Sequence, residues 1–480
     1  MDDIDKAFSG IVTSASSAAD QRNIIYTILS DKIICAASSV LLNVGDIVAV
    51  KSINSDDKPR IEEVEILGSA TVRDIETALG KLPDMIDIEG NAARSLDRHK
   101  NAAYSKDMHN IIGELQKAAR VFASAYLSGA HIVIRFHNDC DGISGAVSIN
   151  RALSELSNRL MIGKPTVSWA MQRGIEYDME SAYSDIIEFR NHKSAAAPLL
   201  LITDFGTAPG SADQIINAEK QYTIVMLDHH PPYDEFPMER ITNYVNSWNH
   251  GLNSSFTAGL LSSIFAEILA DIDTSDMINA SLIGDFSEYA DRSDADGQKI
   301  SIVLDYLTSI AGRNGSSIEK LTPSYADNLI NNPDRLASTF YSASNTLNEL
   351  LDLGVEKVKK MHGDAADVFL LDFSELPKSE SGYPLPGRYS SRLQEKLEGI
   401  NGPRTMLVLH YGSYITVRMP RAISGEVKLL EKINKILELS EYAESGGGHN
   451  EAASIKVVKE RSGDVLSILL KELGCQNYHR

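Results

Sequence analysis

Val225-Met226-Leu227-Asp228-His229-His230 is an apolar run that stops on an Asp-His-His triplet. A strand that ends abruptly on metal-competent side chains is how an α/β sheet presents ligands at its carboxyl edge. The triplet carries little alone, because three polar residues after a strand are common in loops. It gains weight if other apolar runs close on acids and histidines too, and three do. Residues 131–136 lead into His137-Asn138-Asp139-Cys140-Asp141-Gly142, where Gly142 lets the backbone turn sharply into a helix. Residues 199–203 lead to Asp204-Phe205-Gly206, and Ser281-Leu282-Ile283-Gly284 leads to Asp285.

Carboxylates mixed with imidazoles suit Mn²⁺, Mg²⁺, Fe²⁺ or Zn²⁺, and carboxylate richness favours the harder ions. So many acids at short range cannot all stay ionised without cations. Two metals bridged by a carboxylate solve that problem, and they can also polarise a phosphoryl group and acidify a water toward pKa ~7. Each piece has a plainer meaning: a lone Asp after a strand is often a helix cap, and a His pair can be structural. The joint pattern points to one shared metal site.

Apolar runs at 131–136, 166–170, 198–203, 222–227 and 242–245 alternate with helical patterns at 143–158, 176–191, 211–219 and 256–271. That alternation predicts an α/β fold with a doubly wound, mainly parallel sheet over 131–310. Residues 1–67 read as short strands separated by turn residues, an OB-like β-barrel. Its candidate nucleic-acid contacts are Tyr26, Lys51, Lys58 and Arg60, few enough that a structural or partner-binding barrel stays equally open. Residues 68–130 read as a helical linker, with pieces near 74–82 and 90–101 and a helix over 107–127. Residues 311–365 read as a helical connector, broken at Asn331-Asn332-Pro333. Residues 366–480 form a smaller mixed α/β domain, with strands expected at 368–373, 405–410, 414–419 and 453–458.

The 480 residues suffice for two to four domains, and 43% hydrophobic with 23% charged residues is ordinary for a soluble globular chain. Cys35, Cys140 and Cys475 form no CxxC pair, which favours a reducing compartment and argues against a structural zinc site. No signal-like segment and no apolar run of roughly 18 residues is present, so a cytoplasmic location without membrane contact is expected. The net charge of −20 disfavours nonspecific binding to long nucleic acid but suits a metal-rich acidic site or short strands and strand ends. Most of these charges read as a solvated surface.

His137-x-Asp139-x-Asp141-Gly142, Asp204-Phe205-Gly206, Asp228-His229-His230 and Gly284-Asp285 resemble the four ordered motifs of the DHH phosphoesterase superfamily. Gly446-Gly447-Gly448-His449-Asn450-Glu451-Ala452-Ala453 resembles the glycine-rich signature of its DHH-associated C-terminal domain. With the OB-like module and Arg135-Phe136-His137-Asn138-Asp139-Cys140-Asp141-Gly142, the chain looks most like archaeal RecJ-like nucleases, including their Hef-associated branch. The resemblance implies that His137, Asp139 and Asp204 hold one metal and that Asp141, Asp204, His229 and Asp285 hold a second. His230 would then contact the scissile phosphate, and Asp228 would orient a neighbouring imidazole. Asp291 competes with Asp285 for the last ligand position, and the placement of Asp285 directly after an apolar run favours it. Gly446, Gly447, Gly448 and His449 would cradle a phosphate, a plain glycine turn being the alternative. Arg388 and Arg418 would contact the strand, or form surface ion pairs.

The resemblance implies a metal-dependent single-strand exonuclease on DNA or RNA, of 3′→5′ polarity in the Hef-associated branch and 5′→3′ in bacterial RecJ enzymes. Two divalent ions are implied, Mn²⁺ preferred and Mg²⁺ as alternative. Single-stranded DNA or RNA is the expected partner, and a repair helicase, a replisome protein or a second copy of the chain is compatible with the sequence. The alternatives are an oligoribonuclease or cyclic-dinucleotide phosphodiesterase, and a nuclease-derived replisome or repair scaffold.

Overall fold

β-Branched residues alternating with polar ones build the first sheet from β1 (Phe8–Ser17), β2 (Ile24–Leu29), β3 (Ile33–Ser38), β4 (Asp46–Asn54) and β5 (Arg60–Ser69). The strands pair in the order β1-β2-β3-β5-β4 and back to β1, closing an OB-like barrel. Val12, Ile28, Val48, Val50 and Ile61 fill it. β5 does not stand out in the sequence, because Arg60, Glu62, Glu63 and Glu65 break the apolar pattern along a strand whose outer side faces water.

The computed structural model describes residues 7–475 apart from 18–23, 31–32, 55–59, 72, 75–76, 78–84, 161–166, 195–196, 233–235, 237–240, 242, 313–319, 378–381 and 449. Lys58, His449 and most of the helical piece expected at 74–82 lie outside the described residues. Among the barrel's candidate contacts, Tyr26 requires a correction. It is fully buried, and its hydroxyl accepts from the Leu42 N–H at 3.1 Å. Lys51 pairs with Glu65 at 2.8 Å. Tyr26 is therefore a core residue, and the positive charge of Lys51 is matched.

The chain divides into two compact units, residues 1–304 with 322–331, and residues 305–321 with 332–480. In the first unit, the barrel is followed by α1 (Ile88–Arg98), α2 (Ser105–Leu127), β6 (Ile132–His137), α3 (Cys140–Leu160), β7 (Val167–Gln172), α4 (Met179–Arg190), β8 (Lys193–Ser194), β9 (Leu199–Thr203), α5 (Ala212–Glu219), β10 (Thr223–Asp228), β11 (Tyr244–Asn246), α6 (Ala258–Ala270) and α7 (Ser275–Gly284). Strands β6, β7, β9, β10 and β11 form a parallel sheet in the order β11-β10-β9-β6-β7. All of β9 is buried, as a central parallel strand with both faces covered must be. Leu199 and Leu201 enter the core shared with Ile111, Phe122 and Phe265, whereas Leu200 and Ile202 enter the core shared with Phe189 and Ile215. The sheet is thus doubly wound, as its pattern foretells. The helices of residues 86–127 are not a bare tether, since Ile88, Met108, Ile111 and Leu115 are fully buried in the first of those cores. Short β8 pairs with the far half of β1.

α8 (Ala295–Ile310) and α9 (Pro323–Ile330) follow, the first crossing the division between the units, and α10 (Pro333–Lys357) begins the rest of the second. Here β12 (Lys359–His362), β13 (Asp367–Asp372), α11 (Pro386–Asn401), β14 (Thr405–Tyr411), β15 (Tyr414–Arg418), α12 (Arg421–Val427), α13 (Leu429–Leu439), β16 (Ala443–Gly448), β17 (Ala452–Val457) and α14 (Ser462–Glu472) make a mixed sheet in the order β12-β13-β14-β15-β17-β16. Ile415, Val417, Ile433, Ile455 and Leu469 fill its core. No helix of the described residues is long and apolar enough to cross a membrane.

Candidate metal centre

In the parallel sheet the chain leaves β6 toward β7 on one side and returns to β9 on the other. The carboxyl ends of β6 and β9 therefore border the topological switch point, the place where such sheets bind ligands. β6 ends on His137, β9 is followed by Asp204, and β10 ends on Asp228 before His229 and His230. A Cβ on Gly142 would run into the His137 carbonyl oxygen, so glycine is what allows α3 to start directly beneath that loop. Asp204 has φ +69°, a left-handed backbone that Asp tolerates better than most residues.

Three overlapping groups of potential ligands result: His137, Asp139 and Asp204; Asp141, His229 and Asp285; and Asp204, His229 and His230. In each, the ligand atoms lie within 4.8 Å of one another. His137 Nδ1 is 3.0 Å from Asp139 Oδ2 and 3.6 Å from Asp204 Oδ2. His229 Nε2 is 3.3 Å from Asp204 Oδ1 and 3.6 Å from Asp141 Oδ2. Asp204 thus turns one oxygen to each imidazole. Asp285 Oδ2 stands 3.8 Å from His229 Nδ1, while the exposed Asp291 carboxylate accepts from the Ser293 N–H and hydroxyl. Asp285 follows the C-terminus of helix α7 rather than a strand, so its apolar run Ser281–Gly284 is helical.

Partners outside these groups set the orientation of the ligands. His229 Nδ1 is 2.7 Å from the Ser254 carbonyl, which can only accept, so Nδ1 carries a proton and Nε2 is the nitrogen that faces the acids. Asp228 is fully buried, and its Oδ1 accepts from the N–H of His229 at 2.8 Å and from His230 Nδ1 at 2.8 Å. His230 is thereby fixed with Nε2 as its other ring nitrogen. Asp141 accepts from the N–H groups of Ala258 (3.0 Å) and Gly259 (2.9 Å) at the start of α6, and from the Ser281 hydroxyl. A Cβ on Gly259 would lie 2.7 Å from Asp141 Oδ1.

Burial and the neighbouring Asp139 and Asp141 charges push Asp204 up to about 7, against the lowering effect of His137 and His229. Burial would lower His137 and His229, but the surrounding carboxylates hold both well above the ordinary histidine value. Burial disfavours the Asp228 carboxylate, yet His230 beside it keeps its pKa below the usual range. His137 Nδ1 and Asp204 Oδ2, 3.6 Å apart, are buried without a hydrogen bond among the described residues. Orphaned nitrogens and oxygens aimed at one another are costly unless a cation lies between them. The donor set of imidazoles and carboxylates fits divalent ions such as Mn²⁺ or Mg²⁺.

A first expected result follows from the raised Asp204. An ion needs its carboxylate ionised, so metal binding displaces a proton there. Calorimetry in buffers of different ionisation enthalpy should register proton release near pH 6.5. Affinity should weaken as pH falls, because His137 and His229 must also give up protons that the carboxylates hold above the ordinary histidine value, by up to about tenfold per unit for each proton displaced.

The remaining candidates belong to the second unit. Gly446, Gly447 and Gly448 form part of strand β16 rather than a loop. Gly446 lets α13 pack closely, its Cβ position being 2.8 Å from Ile433 Cγ2, and Gly448 has φ +132°. Arg388 Nε is 3.1 Å from Asp305 Oδ1. Arg418 reaches the first turn of α11, donating to Ser390 Oγ (3.3 Å) and the Gly387 carbonyl (3.4 Å). Asn246 at the end of β11, Trp248 in the turn after it and Ser254 carry no motif in the sequence. They bond the backbone of the histidine pair: Asn246 Nδ2 donates to the His230 carbonyl (2.9 Å), and Trp248 Nε1 (3.0 Å) and Ser254 Oγ (2.8 Å) donate to that of His229.

Residues 131–283 match the DHH family, N-terminal domain. An uncharacterized protein of Methanocaldococcus jannaschii is 23% identical over an alignment of 285 residues that covers 52% of this chain. The chain spans only 36% of the length of that relative. Among solved structures, the DHH domain of a member of a ribosomal-protein family is 19% identical and superposes with a TM-score of 0.64, covering 82% of this chain and 99% of that one. RecJ of Thermus thermophilus in complex with Mn²⁺ is 16% identical, with a TM-score of 0.47, covering 83% of this chain and 60% of that one. With its ordered motifs converging at the switch point, the part of the chain over residues 131–283 is a DHH-family N-terminal domain.

Proposed function

We propose that this chain is a RecJ-like, metal-dependent exonuclease that hydrolyses single-stranded DNA or RNA, with 3′→5′ polarity, in DNA repair or replication. The observation that carries this reading is the convergence of His137, Asp139, Asp141, Asp204, His229 and Asp285 around buried atoms that lack hydrogen bonds. When bound, two divalent ions would polarise a phosphate and acidify a water. His137, Asp139 and Asp204 would hold one ion, and Asp141, Asp204, His229 and Asp285 the other. Ser254 and the start of α6 keep His229 and Asp141 aimed inward. His230 stands at the partly exposed rim. Burial would lower its pKa, but Asp228 raises it, so His230 can donate a proton to a phosphate oxygen. In the second unit, Arg418, Arg388 and Gly446, Gly447 and Gly448 would bind phosphates of a single strand.

Single strands labelled at either end and incubated with Mn²⁺ or Mg²⁺ test this reading. Stepwise shortening from the 3′ end is expected. Failure to digest any single strand, DNA or RNA, with either ion would overturn it. The net charge of −20 favours a second reading, an enzyme restricted to short oligonucleotides or cyclic dinucleotides. Digestion of di- to pentanucleotides with none of longer strands would select it.

A further inference from the structure

Trp248 lies in the short turn Ser247–His250 that follows β11. Two bonds fix its indole N–H edge, to the His229 carbonyl at 3.0 Å and to Ser254 Oγ at 3.2 Å. The backbone N–H of Trp248 donates to Asn246 Oδ1 at 2.9 Å, and the same Asn246 side chain holds the His230 carbonyl. The ring is therefore immobilised from its edge and its backbone. A tryptophan needed only to clamp His229 would ordinarily bury its apolar ring, since tryptophan is among the more buried residue types. Here 41% of the residue stays exposed, one carbonyl away from a proposed metal ligand. Ser254 already bonds that carbonyl, so the clamp does not depend on an indole.

We infer that Trp248 is the stacking platform for a nucleobase next to the scissile phosphate. This rests on the nucleic-acid reading of the site and adds how the base is recognised. A preordered aromatic ring loses little entropy on binding, and every base offers a π-face, so the contact is tolerant of sequence. It selects unpaired bases, because a base held in a duplex has both faces covered by its neighbours. The ligand class is a single-stranded nucleotide or strand end.

The chain has two tryptophans, Trp169 and Trp248. In a Trp169→Phe protein, intrinsic fluorescence reports Trp248 alone, and titration with a single-stranded oligonucleotide without divalent ions should quench it. On oligonucleotide substrates Trp248→Ala should raise KM about tenfold, the size of one base–aromatic stack, with kcat changed far less. Trp248→Phe, which keeps a π-face but lacks the N–H, should restore most of the KM. Equal losses in both variants, confined to kcat or to metal affinity, would show a clamp alone and overturn the proposal, as would absence of quenching in a protein that digests the strand. If no strand is digested with any metal, the nuclease reading fails, while quenching still decides whether Trp248 meets a base.

Discussion

Asp204→Asn is expected to reduce phosphodiester hydrolysis by well over about a hundredfold, beyond the ~10–100-fold cost usual for losing a group that merely orients a ligand. Asp204 is the side chain whose two oxygens face the two imidazoles, at 3.6 Å from His137 and 3.3 Å from His229. Neither neighbour can replace it, because Asp139 lies on the His137 side and Asp141 is held by the start of α6. Asparagine is the informative substitution. It keeps the size of the side chain and tolerates the left-handed backbone at φ +69°, whereas alanine would add backbone strain to the loss of a ligand. Unchanged circular dichroism together with lost activity would tie the effect to the carboxylate. Wild-type turnover in Asp204→Asn would remove Asp204 from the centre.

The largest stability effect is expected at Glu267, which is fully buried on α6. Its carboxylate accepts from Ser95 Oγ (2.6 Å) and Thr274 Oγ1 (2.9 Å), and it meets His99 Nε2 (3.0 Å) and Arg98 Nη1 (3.0 Å). This one acid ties α1 to α6 and to the start of α7. Glu267→Ala should cost about 3–5 kcal/mol, because it removes a buried acceptor from Ser95, Thr274 and His99 at once and leaves Arg98 with Asp271 alone. Burial opposes the charged form of Glu267, but His99, Ser95 and Arg98 outweigh that and lower its pKa. A carboxylate with a depressed folded pKa stabilises the fold above its unfolded value, here 4.5. That contribution disappears as pH falls through the lower folded value. The wild type should therefore lose stability steeply below about pH 4.5, and the variant less so. Urea unfolding at several pH values measures both, and equal pH slopes in the two proteins would refute this role.

Much of this was legible in the sequence because the signals are local. Strands β6, β9 and β10 are short apolar runs that close on His137, Asp204 and Asp228-His229, so the sheet and the candidate donors could be read from spacing, while their division between two ions came from the family resemblance. Signals that depend on tertiary contact were not legible. β5 hides behind glutamates that cost nothing on an outer barrel surface. Tyr26 looks like a surface aromatic until the closed barrel places it inside, bonded to Leu42. Residues 68–130 read as a helical linker because amphipathic helices do not reveal which core they join. The glycines at 446–448 suggest a loop, yet here they serve a strand against which α13 packs closely. Asp285 follows an apolar stretch of four residues, too short to tell a strand from the end of a helix. Trp248 and Ser254 carry no motif, since their role depends on which backbone carbonyl they meet.

The most direct test of the proposed two-ion centre is anomalous diffraction from crystals soaked in Mn²⁺. Two peaks are expected in the first unit, one touching His137 and Asp139, the other touching Asp141, His229 and Asp285, with Asp204 in contact with both. A map without manganese among these side chains, or with manganese only at Asp291 or elsewhere on the acidic surface, would contradict it.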